Sequence, residues 1–200
     1  MRPVIRSRAF VVGVTLSLLL APSCGQNYYD TVVQKRVEQL SAGNEADRAH
    51  AAWSLGQIGP RASAAVPALA KALSDPSPEV RSAAAEALAE VGDDSAPAVP
   101  ALVAALRDDD AEVRAHAATA LGVVGSPGAT VAVSDLIGAL SDEDSTVRLY
   151  SAWALGEIGS DARAAEEALA GAMEDENADV RRWSAEALLK VRGIELEKRQ

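Results

Sequence analysis

The chain has one cysteine, Cys24, so no disulfide can form within it. Aromatic residues make up only 4% of the sequence, and phenylalanine occurs once. Strands draw on β-branched and aromatic residues, so this poverty argues against a sheet protein. Positive charge is scarce too: 19 Lys and Arg face 29 Asp and Glu, for a net charge of −10. Such a chain repels phosphate backbones, which argues against a nucleic-acid partner. No apolar run is long. The longest, residues 9–20, is well short of the ~20 residues a membrane-spanning helix needs. The sequence also carries no nucleophile elbow and no phosphate-binding glycine loop. What remains is rich in Ala, Leu and Val, a composition suited to helices.

The first residues, "MRPVIRSRAFVVGVTLSLLLAPSCGQ", have the layout of an export signal. Arg2, Arg6 and Arg8 form a basic start, the apolar run follows, and small residues close it. Cys24 stands where a bacterial lipoprotein carries its acylated cysteine. "LAPSC" resembles a lipobox with Ala21 in the place of Leu and an atypical Pro22. Ala21 and Ser23 equally satisfy the small-x-small rule of ordinary signal peptidase. Both readings cut before Cys24. One leaves a lipid-anchored protein and the other a soluble periplasmic or secreted one. Either cut removes three arginines and takes the net charge from −10 to −13. The lipoprotein resemblance, with Gly25 after the cysteine, implies the outer membrane, facing the periplasm.

From there on the chain repeats itself. "WSLGQIG" (53–59), "EALAEVG" (86–92), "TALGVVG" (119–125) and "WALGEIG" (153–159) are variants of one phrase. Each is preceded by an arginine, and a fifth copy opens on Arg181. From Arg48 to Arg81, Arg114, Arg148 and Arg181 the intervals are 33, 33, 34 and 33 residues. A fixed period of this size marks a solenoid. Within the fourth copy Val147, Ser151, Ala152, Ala154, Leu155 and Ile158 fall on one helical stripe. Asn44, Ser77, Asp110, Asp144 and Asn177, four residues before each arginine, are N-cap residues, and Pro78 suits a first helical position. Gly59, Gly92, Gly125 and Gly159 mark the far ends. A further apolar segment ends eight residues before each arginine, as in "AAVPALAKAL" and "PAVPALVAAL". Each unit therefore reads as two antiparallel helices. One hairpin alone cannot bury its apolar face, but stacked neighbours can. Leu88, Leu121 and Leu155 are expected in that shared interior.

The phrase "D…VR…AA…ALG…IG" resembles the HEAT family, in particular the short HEAT-like repeats of the phycobilisome lyases, over about residues 28–193. The resemblance implies an all-α, right-handed α-α superhelix of five hairpins. It further implies that Asp75, Arg81, Asp108, Arg114, Asp142, Arg148, Asp175 and Arg181 form a ladder between adjacent repeats, with a structural role. The first copy has Ala42 where the aspartate belongs, and the fifth ends in "LLKVRG"; both departures suit terminal repeats. The expected division is a signal peptide (1–23), a short tether (24–27), the repeats (28–59, 60–92, 93–125, 126–159 and 160–193) and a charged tail (194–200).

The resemblance also turns the second helix of each unit toward a concave face. Offsets of three, six and ten residues from the repeat's valine then face a groove. They place Trp53, Glu86, Glu90, Tyr150, Trp153, Glu157, Trp183 and Glu186 there, together with His50 and His116. Trp and Tyr are frequent binding anchors. On this reading the groove has aromatic ends (Trp53 on one side; Tyr150, Trp153 and Trp183 on the other) and an acidic middle. A second reading has the tryptophans filling gaps against the next repeat, where the stripe offers only alanine. The histidines lack H-x-x-x-H spacing and His-Glu pairs, so they read as surface or packing residues rather than metal ligands. The acidic clusters at 107–110, 141–145 and 174–177 lack the spacing of a calcium loop, and capping with the ladder accounts for them.

Two enzymes share this repeat type. Deoxyhypusine hydroxylase holds iron with His-Glu motifs, whereas His50 and His116 are each followed by Ala. Phycobilin lyases handle a tetrapyrrole, and no residue pattern here marks such a pocket. The expectation is a non-catalytic scaffold with no cofactor, holding a protein or peptide on its concave face and the membrane through a lipidated Cys24. An enzyme or enzyme subunit related to the lyases or the hydroxylase is the alternative.

Overall fold

The structure is a computed structural model. It describes the backbone of residues 22–194 and the side chains from residue 28 onward. The expected signal peptide up to residue 21 and the tail from residue 195 lie outside the described residues.

Five helical hairpins follow one another, with no strand among the described residues. The first pairs α1 (Pro22–Ala42) with α2 (Glu45–Ile58). Then come α3 (Val66–Ala72) with α4 (Pro78–Val91), α5 (Val99–Ala105) with α6 (Ala111–Val124), α7 (Val133–Ala139) with α8 (Ser145–Ile158), and α9 (Glu166–Ala172) with α10 (Ala178–Val191). The all-α solenoid of hairpins is as expected. α1 starts at Pro22, so the segment read as a tether continues the first helix.

The second helices are uniform, each of 14 residues. Asn44, Asp110, Asp144 and Asn177 accept hydrogen bonds from the free N–H groups of the first turn. Ser77 corrects the pattern. Its hydroxyl makes no cap bond; it donates instead to Glu79 (2.7 Å) and to Glu45 of the preceding repeat (3.2 Å). Pro78, with no N–H to satisfy, lowers the need for a cap there. The stop glycines Gly59, Gly92, Gly125 and Gly159 take φ of +66°, +86°, +57° and +68°, a region that side chains resist.

After α1, the first arms are shorter than the sequence indicates. Gly59–Ala65, Gly92–Ala98 and Gly159–Ala165 are 3-10 turns, and the α-helical part of each arm is seven residues. Prolines at 60, 67, 97 and 100 remove backbone donors in the first two of these arms; the third has the same form without proline. The single 34-residue interval has its extra residue here. Where the other arms have seven residues of 3-10 turn, the fourth has a loop from Gly125 and only Thr130–Ala132 in that form.

The interior is one continuous cluster of Ala, Leu and Val from Val33 to Val191, with Leu88, Leu121 and Leu155 fully buried. Small residues let successive second helices close on one another. A Cβ on Gly56 would lie 3.0 Å from the Ala87 Cα, and one on Gly156 3.0 Å from the Ala187 Cα. The even-numbered helices thus form the tighter layer, which puts them on the inside of the bend.

Candidate functional site

Two surfaces run the length of the stack: the ladder edge at the turns, and the inner face of the even-numbered helices.

At the ladder edge the side-chain pairs join neighbouring repeats. Arg81 donates from Nε and Nη2 to both oxygens of Asp108, each at 2.7 Å. Arg114 meets Asp142 (2.8 and 2.8 Å) and Arg148 meets Asp175 (2.7 and 3.0 Å) in the same way. Arg48 and Asp75 add a rung that the sequence reading left out, at 2.7 and 2.8 Å. Within its own repeat each arginine donates from Nη1 to the backbone. Arg81 reaches the Asp75 carbonyl and Arg114 the Asp108 carbonyl, at 3.0 and 2.8 Å. Each aspartate in turn accepts from the N–H two residues on, as Asp142 does from Asp144 at 2.9 Å. One bidentate, charge-assisted fork therefore ties two turns together at each of the four junctions between repeats.

The arginines' hydrogen bonds hold Asp75 and Asp175 below the usual carboxylate range. At Asp108 and Asp142 burial pushes upward, but the paired arginine and a backbone N–H outweigh it and the net shift is again downward. Asp110, Asp144 and Asn177 serve as caps, so the acidic clusters are occupied by capping and the ladder as expected. Shallow depressions follow the same edge, for example one lined by Leu73, Asp75, Arg81 and Asp108. Among the described residues no three of His, Cys, Asp and Glu converge as a metal site would require.

The inner face differs from the expected groove. Tyr150, Trp153 and Trp183 are 6%, 3% and 4% exposed. The expectation of an open aromatic end there is corrected. Trp153 and His116, at offsets of six and three from the valine, reach back onto the second helix of the preceding repeat. Trp153 shows this most clearly. A Cβ on Gly122 would lie 2.5 Å from its Cζ3 and 2.8 Å from its Cε3, so the indole occupies the room that glycine leaves. His116 reaches back likewise, its Nδ1 3.1 Å from the Ser82 hydroxyl. It is a buried packing residue. Burial pushes the Tyr150 hydroxyl above its usual value. The gap-filling reading of the tryptophans holds for Trp153, one repeat earlier than the sequence reading placed it: the gap belongs to the preceding repeat and is left by a glycine.

Trp53 is the exception. It has the same offset as Trp153 but is 44% exposed, because among the described residues no earlier second helix stands for α2 to lean on. Its indole stacks on the exposed His50 ring, with centroids 5.6 Å apart and planes at 26°. In the next repeat Glu86 is half-buried and Glu90 exposed, and neither carries an ion pair among the described residues. At the other end the acids are taken up. Lys190 lies 3.0 Å from Glu157 and 3.4 Å from Glu186. Burial works against its charge, but those carboxylates outweigh it and hold the ammonium above its usual value. The members of the expected set that stay exposed or half-buried without an ion pair are thus His50 and Trp53, in contact on α2, and Glu86 and Glu90 on the next second helix, α4.

No helix of the described residues is long and apolar enough to cross a membrane. No curated protein matches the chain. Among solved structures it is similar to an engineered protein, at 28% identity over 80% of this chain and 78% of that one, with a TM-score of 0.69. It is also similar to a computationally designed armadillo repeat protein for modular peptide recognition (19% identity, 83% and 91% of the two chains, TM-score 0.65). A third likeness is to the complex of CpcE and CpcF of phycocyanin lyase from Nostoc sp. PCC7120 (21% identity, 79% and 98%, TM-score 0.61). At these identities the last two speak for the fold alone. The model of HEAT repeats matches residues 33–101 and 99–190, nearly the whole of the described solenoid. With the hairpin period, the stop glycines and the inter-repeat ladder, that match makes the chain a member of the HEAT repeat family.

Proposed function

We propose that the protein is a non-catalytic scaffold that holds a protein segment on the N-terminal half of its inner face. The observation that carries this reading is Trp53, an indole that lacks the floor its counterpart Trp153 has. Leaving it in water is unfavourable by the hydrophobic effect, and a partner could cover it. Glu86 and Glu90 on the next second helix favour a segment with Lys or Arg, which would give one cation to those carboxylates and another to the indole face. An acidic chain favours a protein partner over nucleic acid.

The same proposal has the chain exported and anchored by a lipid on Cys24, on the outer membrane facing the periplasm. The basic, apolar and small-residue order of the first residues supports it. Mass spectrometry of the mature N-terminus tests it: a diacylglyceryl group on Cys24 is expected, and a free, water-soluble Cys24 would remove the membrane from the account.

Capture of partners from the native envelope tests the inner face. Trp53→Ala and the pair Glu86→Gln, Glu90→Gln should each abolish capture of the same protein while helical content stays unchanged. Unchanged capture overturns the assignment. The likeness in fold to a lyase complex favours one competing reading, an enzyme subunit, and bilin titration with metal analysis of the purified chain separates the two. Saturable bilin binding or stoichiometric iron would reverse the ranking.

A further inference from the structure

The ladder has one arginine more than it has aspartates to receive it. Arg181 is set like its four predecessors. Its Nη1 donates to the carbonyls of Asp175 (2.6 Å) and Glu176 (2.9 Å), as that of Arg148 does to Asp142 and Glu143. The Nε and Nη2 that every other ladder arginine gives to a carboxylate have no partner on Arg181 among the described residues. Next to it, Arg182 faces only the Trp183 ring, 5.4 Å from its centroid. The other cations nearby are engaged: Lys190 with Glu157 and Glu186, and Arg192 with Glu166 at 3.0 Å. Two guanidiniums without carboxylates thus stand at the last helix of a chain whose net charge is −10. On the same side Ala185 and Leu189 are half-buried, whereas their counterparts Ala152 and Gly156 are covered by the following repeat.

We propose that this end face docks an acidic helix-entry turn of a partner protein, whose aspartate completes the ladder on Arg181. The pose is dictated by the four rungs already formed: both carboxylate oxygens on Nε and Nη2, with the next backbone N–H turned back onto the same carboxylate. A second copy stacked head to tail fits poorly, because it would present Ala42 at the ladder register, which carries no carboxylate. Leu189 stands where Gly56, Ala89, Gly122 and Gly156 are small enough for second helices to close, so the partner engages through its turn and not as a sixth stacked hairpin.

The experiment titrates the full chain with a synthetic peptide of residues 141–152, which holds the Asp142 turn that Arg114 reads, and follows the arginine Nε–H signals by NMR. A saturable shift of the Arg181 signal is expected. The peptide bearing Asp142→Asn should bind at least about tenfold more weakly, since it loses a charge-assisted fork. Arg181→Gln and Arg181→Lys in the chain should both give the same loss, because lysine keeps the charge but not the fork. Arg107→Gln, at an exposed arginine of another repeat, should change nothing. Circular dichroism confirms that the variants remain folded. No shift of Arg181 up to about 5 mM peptide, a weakness beyond the useful affinity range, overturns the proposal. So does equal binding of the Asp142→Asn peptide. Inorganic phosphate acting as strongly as the peptide would assign the fork to phosphate groups and overturn it as well.

Discussion

The indole of Trp153 lies against the α-carbon of Gly122, one repeat upstream, and leaves no room there for even a methyl group. Large and small are matched across the interface between α6 and α8. Trp153→Ala should cost about 3–5 kcal/mol, and Gly122→Ala about 1–3 kcal/mol through overpacking. In the Trp153→Ala background the cost of Gly122→Ala should fall close to zero, because the added methyl enters the vacated space. Urea denaturation of the four chains closes this cycle. Additive losses would show that the two residues do not meet.

The ladder sets a second expectation. Arg114 is 7% exposed, and Asp142 is the carboxylate that both its Nε and Nη2 reach. Asp142→Asn keeps the shape and removes the charge, leaving a buried cation with only the exposed Glu143 carboxylate at 3.6 Å, at a cost of about 3 kcal/mol. Asp109→Asn, in an equally acidic turn but at an exposed position, should stay within about 0.5 kcal/mol. Equal effects from the two would mean that the rungs contribute nothing beyond general surface charge.

The rungs also give the stack a pH dependence. Asp75, Asp108, Asp142 and Asp175 are held below the usual carboxylate range in the folded chain. The unfolded chain therefore binds protons first as the pH falls. The ladder's stabilisation is complete above the unfolded value near about 4 and is lost as the pH drops through the folded values. Stability measured from pH 7 to pH 2 should fall steeply in that acid range, and less steeply for Asp142→Asn. A profile unaltered by the substitution would contradict this.

Much of the fold could be read directly from residues. The 33-residue period, the caps at Asn44, Asp110, Asp144 and Asn177, and the stop glycines act through local backbone chemistry, which one repeat's sequence contains in full. The rungs needed the neighbouring repeat: the resemblance named the ladder residues in pairs six apart (Asp75 with Arg81, Asp108 with Arg114), whereas each arginine forks onto the aspartate 27 or 28 residues further on. The inner face was legible only in part. Helical offset gives the direction in which Tyr150, Trp153 and Trp183 leave their helix, but not how near the preceding helix lies. That distance is set by residues one repeat earlier, Gly122 for Trp153 and Ser82 for His116. The glycine in "TALGVVG", 31 positions before Trp153, was the available signal. Trp53 escapes the same fate because no earlier second helix stands before it among the described residues.

The central claim is that one tryptophan is open for binding and two are structural. Acrylamide quenching of three chains, each keeping one tryptophan and carrying Phe at the other two, tests it most directly. Trp53 should be quenched readily, with Trp153 and Trp183 several-fold less accessible. Trp153 or Trp183 quenching as fast as Trp53 in a folded chain would contradict the account.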